Sequence, residues 1–294
     1  MARRLLGLLA ALFLAVAAWI ALQLRRGRYR DRRIWTAYGV EFGILAAVLV
    51  PAWLGAPWLA AAALAIAAAS TWELLPALEA AGKRPVRSAA IAGGCGAVLA
   101  TAWLPALPLF ALPALAAVLL ATRNLAFAPA FARGRAAATL FCILYPGLCL
   151  AHLVGLAQLP GGFGYVVFCY GLAEANDVFA FLIGSAYGGR RPWTELSPNK
   201  TVVGSVGGAA ATILLAIPLG FAVPALGLGE RLVAALLLAV GGQAGDLFAS
   251  HIKRRAGIKD FSAVIPTQGG VLDVYDSLLL VSPLFAYYLR ATVI

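Results

Sequence analysis

The sequence predicts an all-α fold: a polytopic integral membrane protein with about ten transmembrane helices and no soluble domain. Three observations predict it. The chain is 63% hydrophobic and only 12% charged over its 294 residues, against about 25% charged in an average soluble domain. Its apolar residues gather in runs close to the roughly 20 residues that a bilayer crossing needs. Its basic residues cluster between those runs, in loops too short to hold a folded domain.

The runs lie in order at residues 5–23, 37–54, 57–79, 88–104, 106–122, 136–158, 163–187, 202–224, 231–250 and 271–290. The first opens on Met-Ala-Arg-Arg and leads into RRGRYRDRR, not into a clean cleavage site. Residues 1–35 are therefore expected to be a retained N-terminal anchor helix and basic loop, with the short N-terminus outside. Runs four and five are rich in Pro and Gly, the composition of a broken pair. Residues 36–160 are Ala- and Leu-rich and are expected to be structural, with Glu41 and the Trp72-Glu73 pair as polar exceptions. Glu73 lies near a predicted helix end and reads as an interfacial carboxylate. Residues 161–294 hold nearly all the unusual residues and are expected to be catalytic, the whole of 1–294 forming one transmembrane domain. Small-xxx-small spacings at Gly184/Gly188, Gly204/Gly208 and Gly241/Gly245 suit close helix packing there.

The net charge of +11 invites a nucleic-acid reading, which its distribution opposes. Basic residues cluster at Arg25–Arg33, Lys83–Arg87, Arg123–Arg135, Arg190–Lys200 and Lys253–Lys259. Under the ten-span reading, all Lys and Arg except Arg3, Arg4, Arg231 and Arg290 then fall on one side. That bias orients the basic loops toward the cytosol, where they also attract anionic lipid or nucleotide. A bacterial plasma (inner) membrane is the expected location, with no nucleic acid as partner. Cys95, Cys142, Cys149 and Cys169 sit in apolar runs without CxxC spacing and read as small buried hydrophobes. The two histidines, His152 and His251, cannot build an HExxH site, and there is no GxxxxGK phosphate loop.

Chemistry concentrates in Gly245–Ser277, which packs Asp246, Asp260, Asp273 and Asp276 beside Lys253, Arg254, Arg255 and Lys259. Ionisable groups at or just inside hydrocarbon cost roughly 2.5–3.5 kcal/mol each on insertion scales, so their default reading is functional. Gln243, Asp246, Ser250, Lys253 and Arg254 recur at helical spacing and share one face; Asp273, Asp276 and Ser277 share another. Carboxylates so close repel one another unless a cation neutralises them. Their hard oxygen atoms suit Mg²⁺ or Mn²⁺. Ion pairing between helices is the plainer alternative. The Gln268-Gly269-Gly270 turn that brings the two faces together, with its cations above them, favours a phosphate-bearing ligand. A second group, Ser197-Pro198-Asn199-Lys200-Thr201 before Gly204, offers backbone amides, an ammonium group and hydroxyls to a phosphate. Glu174 and Asp177, three residues apart, point into the same half of the membrane. The sequon at Asn199-Lys200-Thr201 is set aside as chance.

The pattern running from Ser250 through Lys253-Arg254, Lys259-Asp260, Ser262, Pro266, Gly269-Gly270 and Asp273 to Asp276-Ser277 resembles the signature of the phosphatidate cytidylyltransferases, the CDP-diacylglycerol synthases. Gly245-Asp246-Leu247 and Ser197-Pro198-x-Lys200-Thr201 match that family as well. The resemblance covers about residues 170–290, with further support from Trp72-Glu73. It implies a membrane nucleotidyltransferase of phospholipid biosynthesis that joins CTP to phosphatidate, giving CDP-diacylglycerol and pyrophosphate. It implies metal ligands at Asp246, Asp273 and Asp276, holding Mg²⁺ with a K⁺ companion. Lys253 joins these as a catalytic candidate. Ser197, Lys200, Thr201, Ser250, Arg254, Lys259, Gly269, Gly270 and Asp177 are expected to bind substrate, and a homodimer is compatible with the family. Three departures stand out: Gln268 replaces the usual His before Gly-Gly, Val274 follows Asp273 in place of Arg, and bulky Val178-Phe179 follow Asp177. They leave room for a divergent paralogue acting on a related lipid phosphate.

The resemblance also frames the rivals. A cation-coupled transporter would place its polar residues near the bilayer midplane and repeat its halves, which this chain does not. Another CTP-using lipid enzyme, such as a polyprenol kinase, would transfer a different phosphate. On the synthase reading, Asp273→Asn is expected to abolish metal-dependent turnover while leaving folding largely intact.

Overall fold

The structure, a computed structural model, describes residues 33–104 and 130–293. Among them the elements are helical: α1 (Arg33–Leu54), α2 (Ala56–Ala80), α3 (Arg87–Trp103), α4 (Ala130–Cys142), α5 (Cys149–Gln158), α6 (Gly162–Tyr187), α7 (Val202–Leu215), α8 (Leu228–Arg255) and α9 (Val271–Thr292). A single bridge, Ile265 to Gly269, is the strand-like pairing among the described residues. Five helical stretches are long and apolar enough to cross a membrane: Ala56–Ala80, Gly134–Gln158, Gly162–Tyr187, Leu228–Arg255 and Val271–Thr292. The shorter apolar stretches Gly39–Leu54 and Val202–Leu215 accompany them. The runs expected at 5–23 and 106–122 lie outside the described residues.

One expected span is interrupted. The run 202–224 is helical only to Leu215, then turns into a 3-10 segment, Pro218–Ala222. Pro218 has no amide hydrogen to donate and its ring crowds the preceding turn. The chain there closes through Ile217 N–H to Leu214 O (3.2 Å) and Gly220 N–H to Ile217 O (3.2 Å). At 14 residues, α7 is about 21 Å long, short of a hydrocarbon core of about 30 Å. The run 136–158 bends without breaking. A π-helical turn, Ile143–Leu148, joins α4 to α5 around Pro146, the residue that cannot supply an i→i−4 bond. Its Gly147 faces Gly94 of α3 so closely that a Cβ would land on the Gly94 backbone.

Small residues let the helices after residue 160 approach. Gly184 of α6 lies against Gly204 of α7, and a Cβ on Gly204 would sit 2.6 Å from the Ala180 carbonyl oxygen. Gly245 of α8 lies similarly against Asp276 and Ser277 of α9. Gly188, expected to extend this stripe, instead ends α6 with φ 65° and meets nothing. Aromatic packing fills the centre, with Phe168 stacked on Phe285 at 5.7 Å between ring centroids. The hydroxyls of Tyr170 (α6) and Tyr275 (α9) both donate to the Ile44 carbonyl of α1, at 3.4 and 3.3 Å. The four cysteines are free, Cys142 and Cys169 fully buried. His152 is packed and held through Nδ1 at 2.8 Å from the Leu148 carbonyl.

The C-terminal part of α2 meets the N-terminus of α9, because Glu73 bonds the Val271 and Leu272 amides. The C-terminus of α6 meets the N-terminus of α7, and Gln243 of α8 bonds both Asn176 of α6 and Ser205 of α7. The loops that carry Lys83-Arg84, Arg190-Arg191 and Lys259 thus emerge at one end of the bundle.

Candidate active site

A cavity of about 560 Å³ opens at that end, lined from α1, α6, α7, α8, α9 and the 188–201 and 256–270 loops. Its wall carries seven carboxylates, Glu41, Glu174, Asp177, Asp246, Asp260, Asp273 and Asp276, against three cations, Arg191, Lys200 and Lys253. Of the residues expected from the sequence, Asp177, Lys200, Thr201, Asp246, Lys253, Asp273 and Asp276 line it. Ser197, Ser250, Arg254, Lys259, Gly269 and Gly270 do not.

Two lysines are paired within the wall. Lys200 forms an ion pair with Asp246, the two side chains 20% and 29% exposed. Lys253 Nζ lies 2.7 Å from Asp273 Oδ1, at 11% and 4% exposure, and 5.5 Å from the Phe261 ring centroid. Asp273 is the most committed of the acids. Its Oδ2 also accepts the Phe261 amide at 2.7 Å and the Gly270 amide at 2.9 Å, the latter being the acidic half of a capping box at the start of α9. A carboxylate offers about four lone-pair sites; three are taken, leaving one. Asp273→Asn would therefore neutralise a buried partner of Lys253 while keeping one acceptor for it, so the change bears on stability as well as on turnover.

Asp246 accepts the Ser250 hydroxyl at 3.3 Å, so Ser250 steadies a wall residue from outside the cavity. Ser277 Oγ lies 3.1 Å from Asp177 Oδ2, 3.2 Å from the Gly242 carbonyl and 3.3 Å from Asp276 Oδ1, and its one proton can serve any one of them. Thr201 caps α7 by accepting the Gly204 amide at 3.0 Å, a role its type and position suit. Ser197 builds the turn before it, its carbonyl accepting the Lys200 amide at 3.2 Å. Arg254 has drifted off the α8 face: eight residues after Asp246 it stands about 80° around the helix, whereas Lys253 stands about 20° away. Its guanidinium donates to the Ile258 carbonyl in the loop after the helix, at 3.0 Å. The amides of Gly269 and Gly270 are spent on Ile265 O and Asp273, leaving neither for a phosphate.

The first half contributes more than expected. Glu41 of α1 lines the cavity and is bonded by the Gln268 side-chain amide. Glu73 is not an interfacial carboxylate: it is 7% exposed and accepts three hydrogen bonds. Arg191 and Asn199 also line the wall. An isolated acid in an apolar run was the signal for Glu41 and Glu73; nothing local identified their partners.

Residues 32–292 match the Cytidylyltransferase family. This chain belongs to that family. Every residue of the cavity wall, from Glu41 to Ser277, lies inside the matched stretch. The uncharacterized protein YnbB of Escherichia coli is 36% identical over 146 residues, 48% of this chain and 49% of that protein. The phosphatidate cytidylyltransferase of Bacillus subtilis is 35% identical over 153 residues, 50% of this chain and 55% of its own. That of Brucella abortus is 39% identical over 155 residues, 50% and 54% respectively. The chain thus spans about half the length of the curated relatives it matches.

In this cytidylyltransferase-family wall the acids supply hard oxygen donors, the chemistry that suits Mg²⁺. Asp246 and Asp276 face the cavity, and Asp273 keeps one open lone-pair site. Among the described residues no three acidic, His or Cys side chains converge as a metal cluster, so the fit is one of donor type and charge.

Proposed function

We propose that this chain transfers the cytidylyl group of CTP to phosphatidate, giving CDP-diacylglycerol and pyrophosphate, at the cytosolic face of a bacterial inner membrane. The observation that carries the reading is that the whole cavity wall falls inside the family match. The volume is within the range of small-molecule sites, and the bundle would let acyl chains stay in the bilayer while a head group reaches the cavity.

The reaction needs no general base. A phosphomonoester with a second pKa of about 6 is already ionised near neutrality. Its oxygen attacks the α-phosphorus of CTP, forming the new P–O bond. The bond between that phosphorus and the α–β bridging oxygen breaks, and pyrophosphate leaves with the electron pair. The obstacle is repulsion between anions, and a wall with a formal excess of four negative charges deepens it. Asp246 and Asp276, with the free site of Asp273, would hold Mg²⁺, which when bound supplies neutralisation of phosphate charge. Lys200, Lys253 and Arg191 are the chain's own cations for the phosphates. Arg254 and Lys259, outside the wall, would raise the local concentration of anions.

The test uses the full chain in nanodiscs containing phosphatidate, with Mg²⁺ and CTP labelled at the α-phosphate. Label should pass into lipid with release of unlabelled pyrophosphate. Label retained in CDP with a newly phosphorylated lipid would make this a kinase, and no transfer at all would sink the assignment.

A further inference from the structure

The start of α9 is the anion-binding end of a helix, where free amides and the helix dipole favour negative charge. It borders a cavity that, on the reading above, receives phosphates. The chain has already filled that end from within. Glu73, on α2, takes the Val271 amide on Oε1 at 3.0 Å and the Leu272 amide on Oε2 at 2.8 Å. Its Oε1 also accepts the Ser262 hydroxyl at 2.7 Å, and Ser262 Oγ in turn accepts the Val264 amide at 3.3 Å. All three partners of Glu73 are neutral donors, and its carboxylate is almost fully buried. It is anchored by Leu74 and Leu75, which are fully buried. Gly270 leaves the room it needs: a Cβ there would stand 2.6 Å from Glu73 Oε2.

We infer that Glu73 is a positioning residue that sets the register of α9 and of the loop before it, and through them the placement of Asp273 and Asp276 in the cavity wall. Two carboxylates grip this segment. Asp273 takes the amides of Phe261 and Gly270 and the ammonium of Lys253. Glu73 takes the hydroxyl of Ser262 and the amides of Val271 and Leu272. Neighbouring donors in sequence, 261 against 262 and 270 against 271, are thus divided between an acid of α9 itself and an acid of α2. Releasing Glu73 frees the first turn of α9, and Asp273 and Asp276 stand on the first two turns. The same geometry assigns the Val271 and Leu272 amides to an internal carboxylate and not to a substrate phosphate.

The activity arm of the test rests on the cytidylyltransfer reading; the exchange arm does not. Glu73→Gln keeps the shape and one acceptor, and Glu73→Ala removes both. In nanodiscs, amide hydrogen exchange across residues 261–275 should quicken about 10-fold in Glu73→Gln and about 100-fold in Glu73→Ala, as loss of charge-assisted bonds implies. Exchange in α6 should be unchanged. The kcat for CDP-lipid formation should fall about 10-fold in Glu73→Gln, with the KM for CTP moving less than about threefold, the pattern of misplaced groups and not of lost binding. Ser262→Ala, which cuts only the loop arm, should quicken exchange at 261–265 and spare Val271 and Leu272; it keeps the inference testable if the Glu73 variants fail to fold. Unchanged exchange at 261–275, or acceleration spread equally over α6, would overturn the inference. If the unsubstituted protein forms no CDP-lipid, the functional reading fails, and the exchange data alone decide the role of Glu73.

Discussion

Two acids before residue 160, Glu41 and Glu73, and two after it, Asp246 and Asp273, differ in the partners that satisfy them, while Asp177, also after it, is held by the neutral donors Ser277 and Asn176. Glu73 is held by two amides and a hydroxyl, and Glu41 by the carboxamide of Gln268. Asp246 and Asp273 are instead matched by ammonium groups, Lys200 and Lys253, that stand in the same wall. An acid tied to neutral donors keeps its charge in place and orders the backbone around it. An acid tied to a cation forms a pair whose two charges can each find another partner when a charged ligand arrives. The earlier helices therefore serve as a frame, and the later ones carry the exchangeable charges. The pair Glu79–Arg87, at 2.5 Å, is an exception that lies away from the cavity, on exposed side chains.

The sharpest way to break this contrast is Asp246→Ala. It should cut CDP-lipid formation by about 10³-fold, the scale of losing electrostatic stabilisation at a reacting centre, with the protein still folded by size-exclusion and helical content. Retained turnover would strip the later helices of their special role. Next in size, Gly147→Leu tests the frame without touching the wall. Its side chain must displace the Gly94 backbone, and overpacking of this kind costs about 1–3 kcal/mol, read as a lowered thermal midpoint in detergent. Lys200→Met should raise the KM for CTP about 10-fold with a smaller change in kcat, since it removes one charge-assisted contact. Glu41→Ala should lower kcat/KM by about threefold, the scale of one neutral hydrogen bond; a loss as large as that of Asp246→Ala would move Glu41 from the frame into the chemistry. Arg87→Ala, on an exposed pair, should leave both thermal midpoint and turnover within error.

How much of this was legible depends on the range of each interaction. The long apolar runs at 57–79, 136–158, 163–187, 231–250 and 271–290 declared themselves by length, because hydrocarbon demands about 20 residues whatever their order. The break in 202–224 hung on what Pro218 does to a backbone already near the end of its run. Within the site, helical spacing brought out Asp246 with Lys253 and Asp273 with Asp276, since those pairs share a face of one helix. The same spacing overreached at Arg254, where one further residue carried the side chain off the face. Gln268 and Glu41 are 227 positions apart and Glu73 and Leu272 are 199 apart. No periodicity links such pairs; only the packed bundle does. The Ser197 and Gly269-Gly270 groups had the right chemistry for phosphate, but their turns consume the very amides that would have offered it.

The Ile44 carbonyl receives the hydroxyls of both Tyr170 and Tyr275, one helical turn after Glu41. A shift of α1 along its axis would break both bonds at once, and an unmet buried hydroxyl is costly. α1 is therefore tied to α6 and α9 at one shared acceptor, which couples the rim that bears Glu41 to the helices that bear Asp177 and Asp276.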